Sequence, residues 1–164
     1  MLKAGDKAPP FTLSNQDGVS VELNEFIGKK IIIWFYPKAS TPGWTVEGQG
    51  FRDESKKFKA LNVIILGVSA DSVKKQKNFH SKYNFKFSLL SDENHGMLEN
   101  YGVWGKKKFM GKEYMGISRI TYIINENGMI EKVYDKVNTK SHANDILDEL
   151  AWAPNHQIYY LKRP

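Results

Sequence analysis

Residues 30–44, Lys30-Ile31-Ile32-Ile33-Trp34-Phe35-Tyr36-Pro37-Lys38-Ala39-Ser40-Thr41-Pro42-Gly43-Trp44, decide the architecture. Lys30 to Tyr36 is an almost unbroken β-branched and aromatic run, the pattern of a strand buried on both faces. Pro37 cannot donate to a ladder and ends that strand. Thr41 followed by Pro42 has the form of an N-cap and a first-turn proline, so a helix should begin there. Val46, Phe51 and Phe58 follow at roughly helical spacing, with Arg52, Asp53, Lys56 and Lys57 between them. A buried strand running at once into an amphipathic helix is the opening of an alternating α/β fold.

The flanking sequence extends that alternation. Asn62 to Ser69 reads as a second buried strand, Ser72 to Tyr83 as a helix and Phe85 to Leu90 as a third strand. Ser91-Asp92-Glu93-Asn94 offers capping residues before a short helix at Met97 to Tyr101, and Gly102 to Gly116 reads as a loop. Arg119 to Ile124 and Met129 to Tyr134 are strands joined by the turn Asn125-Glu126-Asn127-Gly128. Ser141 caps a last helix through Leu150, with Ile146, Leu147 and Leu150 as its apolar stripe. Near the N-terminus, Asn15-Gln16-Asp17-Gly18 between Phe11-Thr12-Leu13 and Val19 to Leu23 reads as a hairpin. The order predicts an α/β fold, a thioredoxin-like mixed sheet sandwiched by helices with an N-terminal hairpin. One domain covers residues 1–150. Residues 151–164, with Trp152 and Ile158-Tyr159-Tyr160-Leu161, form a tail that could pack back, self-associate or be an added extension.

Composition narrows the function. The net charge is +6, but the cations are spread, and the densest run is Lys106-Lys107-Lys108. No basic stripe with interleaved aromatics occurs, so solvated faces are expected and a nucleic-acid partner is not. The chain has no cysteine, which excludes disulfides, thiolate nucleophiles and cysteine metal sites. His80, His95, His142 and His156 are widely separated, and Asp92 to His95 reads as a helix N-terminal turn, so neither metal nor cofactor is expected. The N-terminus has no apolar leader region, and the longest apolar run, Ile31 to Tyr36, is too short to span a bilayer. A cytoplasmic protein without a membrane partner is the expectation.

The stretch from Pro37 to Trp44 resembles the peroxiredoxins, which share Pro, three residues, Thr, two residues, then the peroxidatic cysteine. Pro37 and Thr41 match, and Trp44 stands where that cysteine belongs. Phe35 to Lys38, Thr41-Pro42-Gly43, Thr45-Val46-Glu47 and Gly50 to Asp53 resemble the bacterioferritin-comigratory (PrxQ) subgroup. There a resolving cysteine often lies five residues after the first; here that place holds Gln49. Gly5 to Pro9, Leu89 to Asp92, Tyr101 to Gly105 and Gly116-Ile117-Ser118-Arg119 continue the likeness in order. The resemblance implies, for an active parent, thioredoxin-dependent reduction of hydroperoxides by a monomer or weak dimer without cofactor. It assigns the catalytic positions to Trp44, Gln49, Thr41, Pro37 and Arg119.

Physical chemistry agrees with those assignments. A thiol attacks peroxide as thiolate, and helix N-termini and cations lower a cysteine pKa of ~8.5 to roughly 3.5–7.5. The helix starting at Thr41-Pro42 and the Arg119 guanidinium would do this at position 44. The Thr41 hydroxyl would orient the peroxide and Pro37 would shield the sulfur. Indole offers one N–H donor and no atom suited to that attack, and Gln49 cannot form a disulfide. The sequence therefore predicts a chain without peroxidase activity. The alternative function is a cysteine-free pseudoenzyme that acts as a binding or scaffold protein, with Trp44 as a contact anchor. An engineered inactive form, and a different enzyme using Thr41 and Arg119 as an anion or peroxide clamp, are the further readings. Sterically, an indole in a small thiol pocket predicts that the ring is expelled and the first helical turn displaced. Glu47 and Arg52 are expected to contact other elements, and Trp34 and Trp104 to be packing residues.

Overall fold

The computed structural model describes residues 1–39, 41–135 and 140–150. Ser40 and the 151–164 tail lie outside the described residues. The N-terminal hairpin forms as expected: β1 (Thr12–Ser14) pairs antiparallel with β2 (Ser20–Glu22). The Asn15 side-chain oxygen accepts the N–H groups of Asp17 and Val19, so its amide mimics a backbone turn. β3 (Lys30–Phe35), β4 (Val63–Ser69) and β5 (Ser88–Ser91) are parallel neighbours, and α1 (Pro42–Asp53), α2 (Ser55–Ala60) and α3 (Val73–Lys82) connect them. α4 (Gly96–Asn100) follows β5, and β8 (Thr121–Ile124) and β9 (Ile130–Tyr134) close the far edge. The sheet order is β2-β1-β5-β4-β3-β8-β9, a mixed sheet of seven strands. A last helix, α5, covers 142–150.

β3 explains why both faces need helices. Ile31, Ile33 and Phe35 enter one core cluster with Leu98, Tyr101 and Tyr122, while Ile32, Trp34 and Tyr36 enter the other with Phe51, Phe58 and Ile146. The period of two sends alternate residues to opposite faces, so a continuous apolar run needs two hydrophobic layers. Trp34 is wholly buried and faces Gly67 on β4. A Cβ at Gly67 would lie 3.0 Å from the Trp34 ring and 2.8 Å from Leu89 Cδ2, so the indole occupies the space a side chain would take.

The expected loop at 102–116 is instead a two-stranded ribbon, β6 (Trp104–Phe109) with β7 (Lys112–Ile117). Its turn residues, Met110 and Gly111, both take positive φ (51° and 80°), the form that fits the twist of a two-residue hairpin. Met110 is an unusual occupant of that conformation, and the lysines at 106–108 hide the strand's period. Two strand starts also shift: β8 begins at Thr121, leaving Arg119 in the connection before it, and β5 begins at Ser88.

Candidate active site

The segment between β3 and α1 is held from below by a buried polar network. Gln76, wholly buried on α3, accepts from the Tyr36 hydroxyl and donates to Ser69 Oγ (2.9 Å) and the Leu90 carbonyl (2.8 Å). Ser69 Oγ donates to Asp71 Oδ2, which also accepts the Ala39 N–H at 2.8 Å. The turn after Pro37 is thereby tied to the ends of β4 and β5, the carboxyl edge of the parallel strands where open α/β sheets form their sites.

α1 begins at Pro42 with its first turn intact: the Thr45 N–H reaches the Thr41 carbonyl at 2.9 Å. The displaced turn and expelled ring expected from steric crowding do not occur. The region around residue 44 is an open cavity of about 460 Å³ rather than a closed slot, so the indole lies along its wall, half-buried. The Arg119 guanidinium carbon sits 4.3 Å from the Trp44 ring centroid, a cation–π contact. Pro37, Trp44 and Arg119, three of the five positions singled out, line this one cavity. Thr41 is at the N-cap, but its hydroxyl donates to the Lys38 carbonyl (2.7 Å) rather than capping the helix. Gln49 lies within α1, half-buried and outside the cavity lining.

The ribbon supplies the opposite wall through Lys107, Tyr114, Met115 and Ile117, with Trp104 at its base. Trp104 is thus more than packing: it stacks on His95 (centroids 3.9 Å, 15° between planes) and also faces the cavity. Lys107 and Tyr114 carry no site signal in the sequence, where the ribbon reads as a loop. Their Cα-paired register across β6–β7 brings them side by side.

Behind α1 lies a second polar group. Glu47, 2% exposed, places Oε1 3.6 Å from His142 Nε2 on α5, and that nitrogen is 2.9 Å from Thr121 Oγ1 on β8. Glu47 Oε2 and Thr45 Oγ1 are buried without a hydrogen-bond partner among the described residues. Burial pushes the Glu47 carboxyl up to about 8, with the Arg119 cation pulling the other way. Burial pushes His142 down to about 4; Asp145 opposes this and Arg119 reinforces it. Glu47 does contact another element, as expected, and Arg52 donates to the Tyr83 carbonyl at 2.7 Å. His142 carried no signal in the sequence beyond being an isolated histidine at a helix start.

Residues 4–133 match the family model for the AhpC/TSA family. A putative peroxiredoxin bcp of Haemophilus influenzae is 48% identical over 149 residues, covering 91% of this chain and 96% of that protein. Peroxiredoxin Bcp of Escherichia coli K12 is 46% identical over 155 residues, covering 94% and 97%. This chain belongs to the AhpC/TSA family, on its Bcp/PrxQ peroxiredoxin branch. Solved peroxiredoxins share the fold. Peroxidoxin BcpB from Mycobacterium tuberculosis superposes with TM-score 0.83 at 31% identity, over 93% of this chain and 99% of that one. The Xanthomonas campestris bacterioferritin comigratory protein, described by its alkyl peroxide reduction activity, superposes with TM-score 0.81 at 36% identity, over 86% and 90%. This peroxiredoxin chain has no cysteine anywhere. Among the described residues, no group of His, Asp and Glu is placed to hold a metal ion, and no helix is long and apolar enough to cross a membrane.

Proposed function

We propose that this peroxiredoxin does not reduce hydroperoxides as its sequence stands, because Trp44 and Gln49 occupy the peroxidatic and resolving positions. The observation that carries the reading is the seating of Trp44 in the first turn of α1, facing Arg119 and Pro37. In the family reaction a thiolate takes one peroxide oxygen to become a sulfenic acid and releases the alcohol; a second thiol then displaces water to form a disulfide. Thioredoxin, the reductant expected for an active parent, would return both sulfurs to thiols. Residue 44 here has no electron pair suited to the first step. Among the described residues the one sulfur lining the cavity is the Met115 thioether, whose oxidation is a single stoichiometric event without a partner thiol. Pro37, Thr41 and Arg119 are read as the retained frame of that site. A cytoplasmic setting belongs to the same proposal.

The second reading is binding without turnover, the role of a cysteine-free pseudoenzyme. It is favoured by an open cavity of about 460 Å³ that carries Arg119 although no nucleophile stands at position 44. A coupled assay of peroxide consumption with thioredoxin and its reductase tests the first reading. No turnover above the protein-free rate is expected, and steady turnover by the cysteine-free chain would overturn it.

A further inference from the structure

The cavity at Trp44 carries two cations, Arg119 and Lys107, and no carboxylate lines it among the described residues. Neither cation forms an ion pair or a side-chain hydrogen bond among the described residues. Two acids adjoin lining residues in the chain: Asp71, next to Ala70, whose Oδ2 is already engaged by Ser69 and Ala39, and Glu113, next to Tyr114, which is exposed and does not line the cavity. Glu47, behind the wall, is kept in its neutral form near pH 7 by burial, so it sets no negative charge opposite Arg119.

The geometry of Arg119 defines what can be added. Its guanidinium carbon lies over the Trp44 ring at 4.3 Å, and Arg119 is exposed with no side-chain hydrogen bond among the described residues, so its N–H fork has donors to offer a ligand. A fork of parallel donors matches the two oxygens of a carboxylate. The other walls are Trp104, Tyr114, Met115 and Ile117, which suit a planar or alkyl body rather than a hydrated inorganic ion. A volume of about 460 Å³ is that of a small-molecule site. A hydroperoxide, being neutral, gives Lys107 no partner.

We propose that this cavity binds an organic monocarboxylate with an aromatic or short apolar body, its carboxylate on the Arg119 fork beside Lys107 and its body against Trp44, Trp104 and Tyr114. The proposal rests on reading the cavity as a site without turnover. Peroxide consumption reports on that reading separately, so failure of one does not mimic failure of the other.

The test is calorimetric titration of the full chain with 3-phenylpropionate, its neutral amide and inorganic phosphate. Saturable one-to-one binding of the acid is expected, with the amide and phosphate each weaker by roughly tenfold or more. Arg119→Met should weaken the acid by about tenfold or more while leaving the amide unchanged. Arg119 is exposed, so this change leaves the core intact. Lys106→Met removes an exposed charge outside the lining and serves as the control, with no change expected. No saturable binding, equal binding of acid and amide, phosphate binding as tight as the acid, or equal losses in both variants would each overturn the proposal.

Discussion

Raising the pH should destabilise this protein through one buried pair. Glu47 and His142 are each 2% exposed and lie 3.6 Å apart between α1 and α5. Burial raises Glu47 from 4.5 to about 8, so the native state keeps a proton that the unfolded chain has already lost. Burial lowers His142 from 6.5 to about 4, so the native state lacks a proton that the unfolded chain takes up below 6.5. Between pH 4.5 and 6.5 each state holds one proton on the pair, and stability is level with respect to it. Between 6.5 and 8 the native state alone holds a proton, so stability falls as pH rises through that window. At ~1.36 kcal/mol per pH unit, the loss over this window is on the order of 2 kcal/mol, or about 4–8 °C in Tm for a chain of this size. Below about 4.5 the slope reverses, because the unfolded chain then takes up protons on both groups. Urea unfolding at half-unit pH steps measures this for the protein and for Glu47→Gln, which keeps the shape and removes the proton. The stability of the protein relative to the variant should fall by about 2 kcal/mol from pH 6.5 to 8. Parallel curves would refute the reasoning and place the carboxylate in a solvated or strongly paired state.

Three other substitutions or measurements follow from the packing. Gln76→Leu strands the Tyr36 hydroxyl and the Leu90 carbonyl in the core, and should cost about 2–4 kcal/mol in urea unfolding. Gly48→Ala sets a methyl group 2.7 Å from the Phe85 ring and 3.1 Å from Trp34, with a loss of about 1–3 kcal/mol by the same measurement. Peptide mass spectrometry of the protein from its source cells should give the tryptophan mass at position 44; a sulfur- or selenium-bearing residue there would restore a nucleophile and contradict the inactive reading.

Sequence reasoning served best where burial imposed a pattern. β3 was legible because burial on both faces leaves nothing but apolar residues, and the Thr41-Pro42 start of α1 because its capping chemistry is local. The β6–β7 ribbon was not: one of its strands is mostly lysine, and its turn is Met-Gly rather than Asn-Gly. Missing the ribbon meant missing Lys107 and Tyr114 as cavity walls. The place of Trp44 was not legible because local sequence does not show how far the β6–β7 ribbon stands from α1; a closed thiol pocket would expel an indole, and the open cavity holds it. The Glu47–His142 pair was invisible because its partners come from helices at opposite ends of the chain, and only the packing of α5 across β8 joins them.

The central claim is that residue 44 sits in a peroxiredoxin frame from which only the reacting atoms are missing. Thioredoxin-coupled peroxide consumption by this chain, run beside the Trp44→Cys, Gln49→Cys double variant, tests it most directly. The account predicts an inert chain and a variant that turns over. Turnover by the chain itself would contradict the claim that position 44 has no nucleophile; two inert proteins would contradict the claim that its frame is intact.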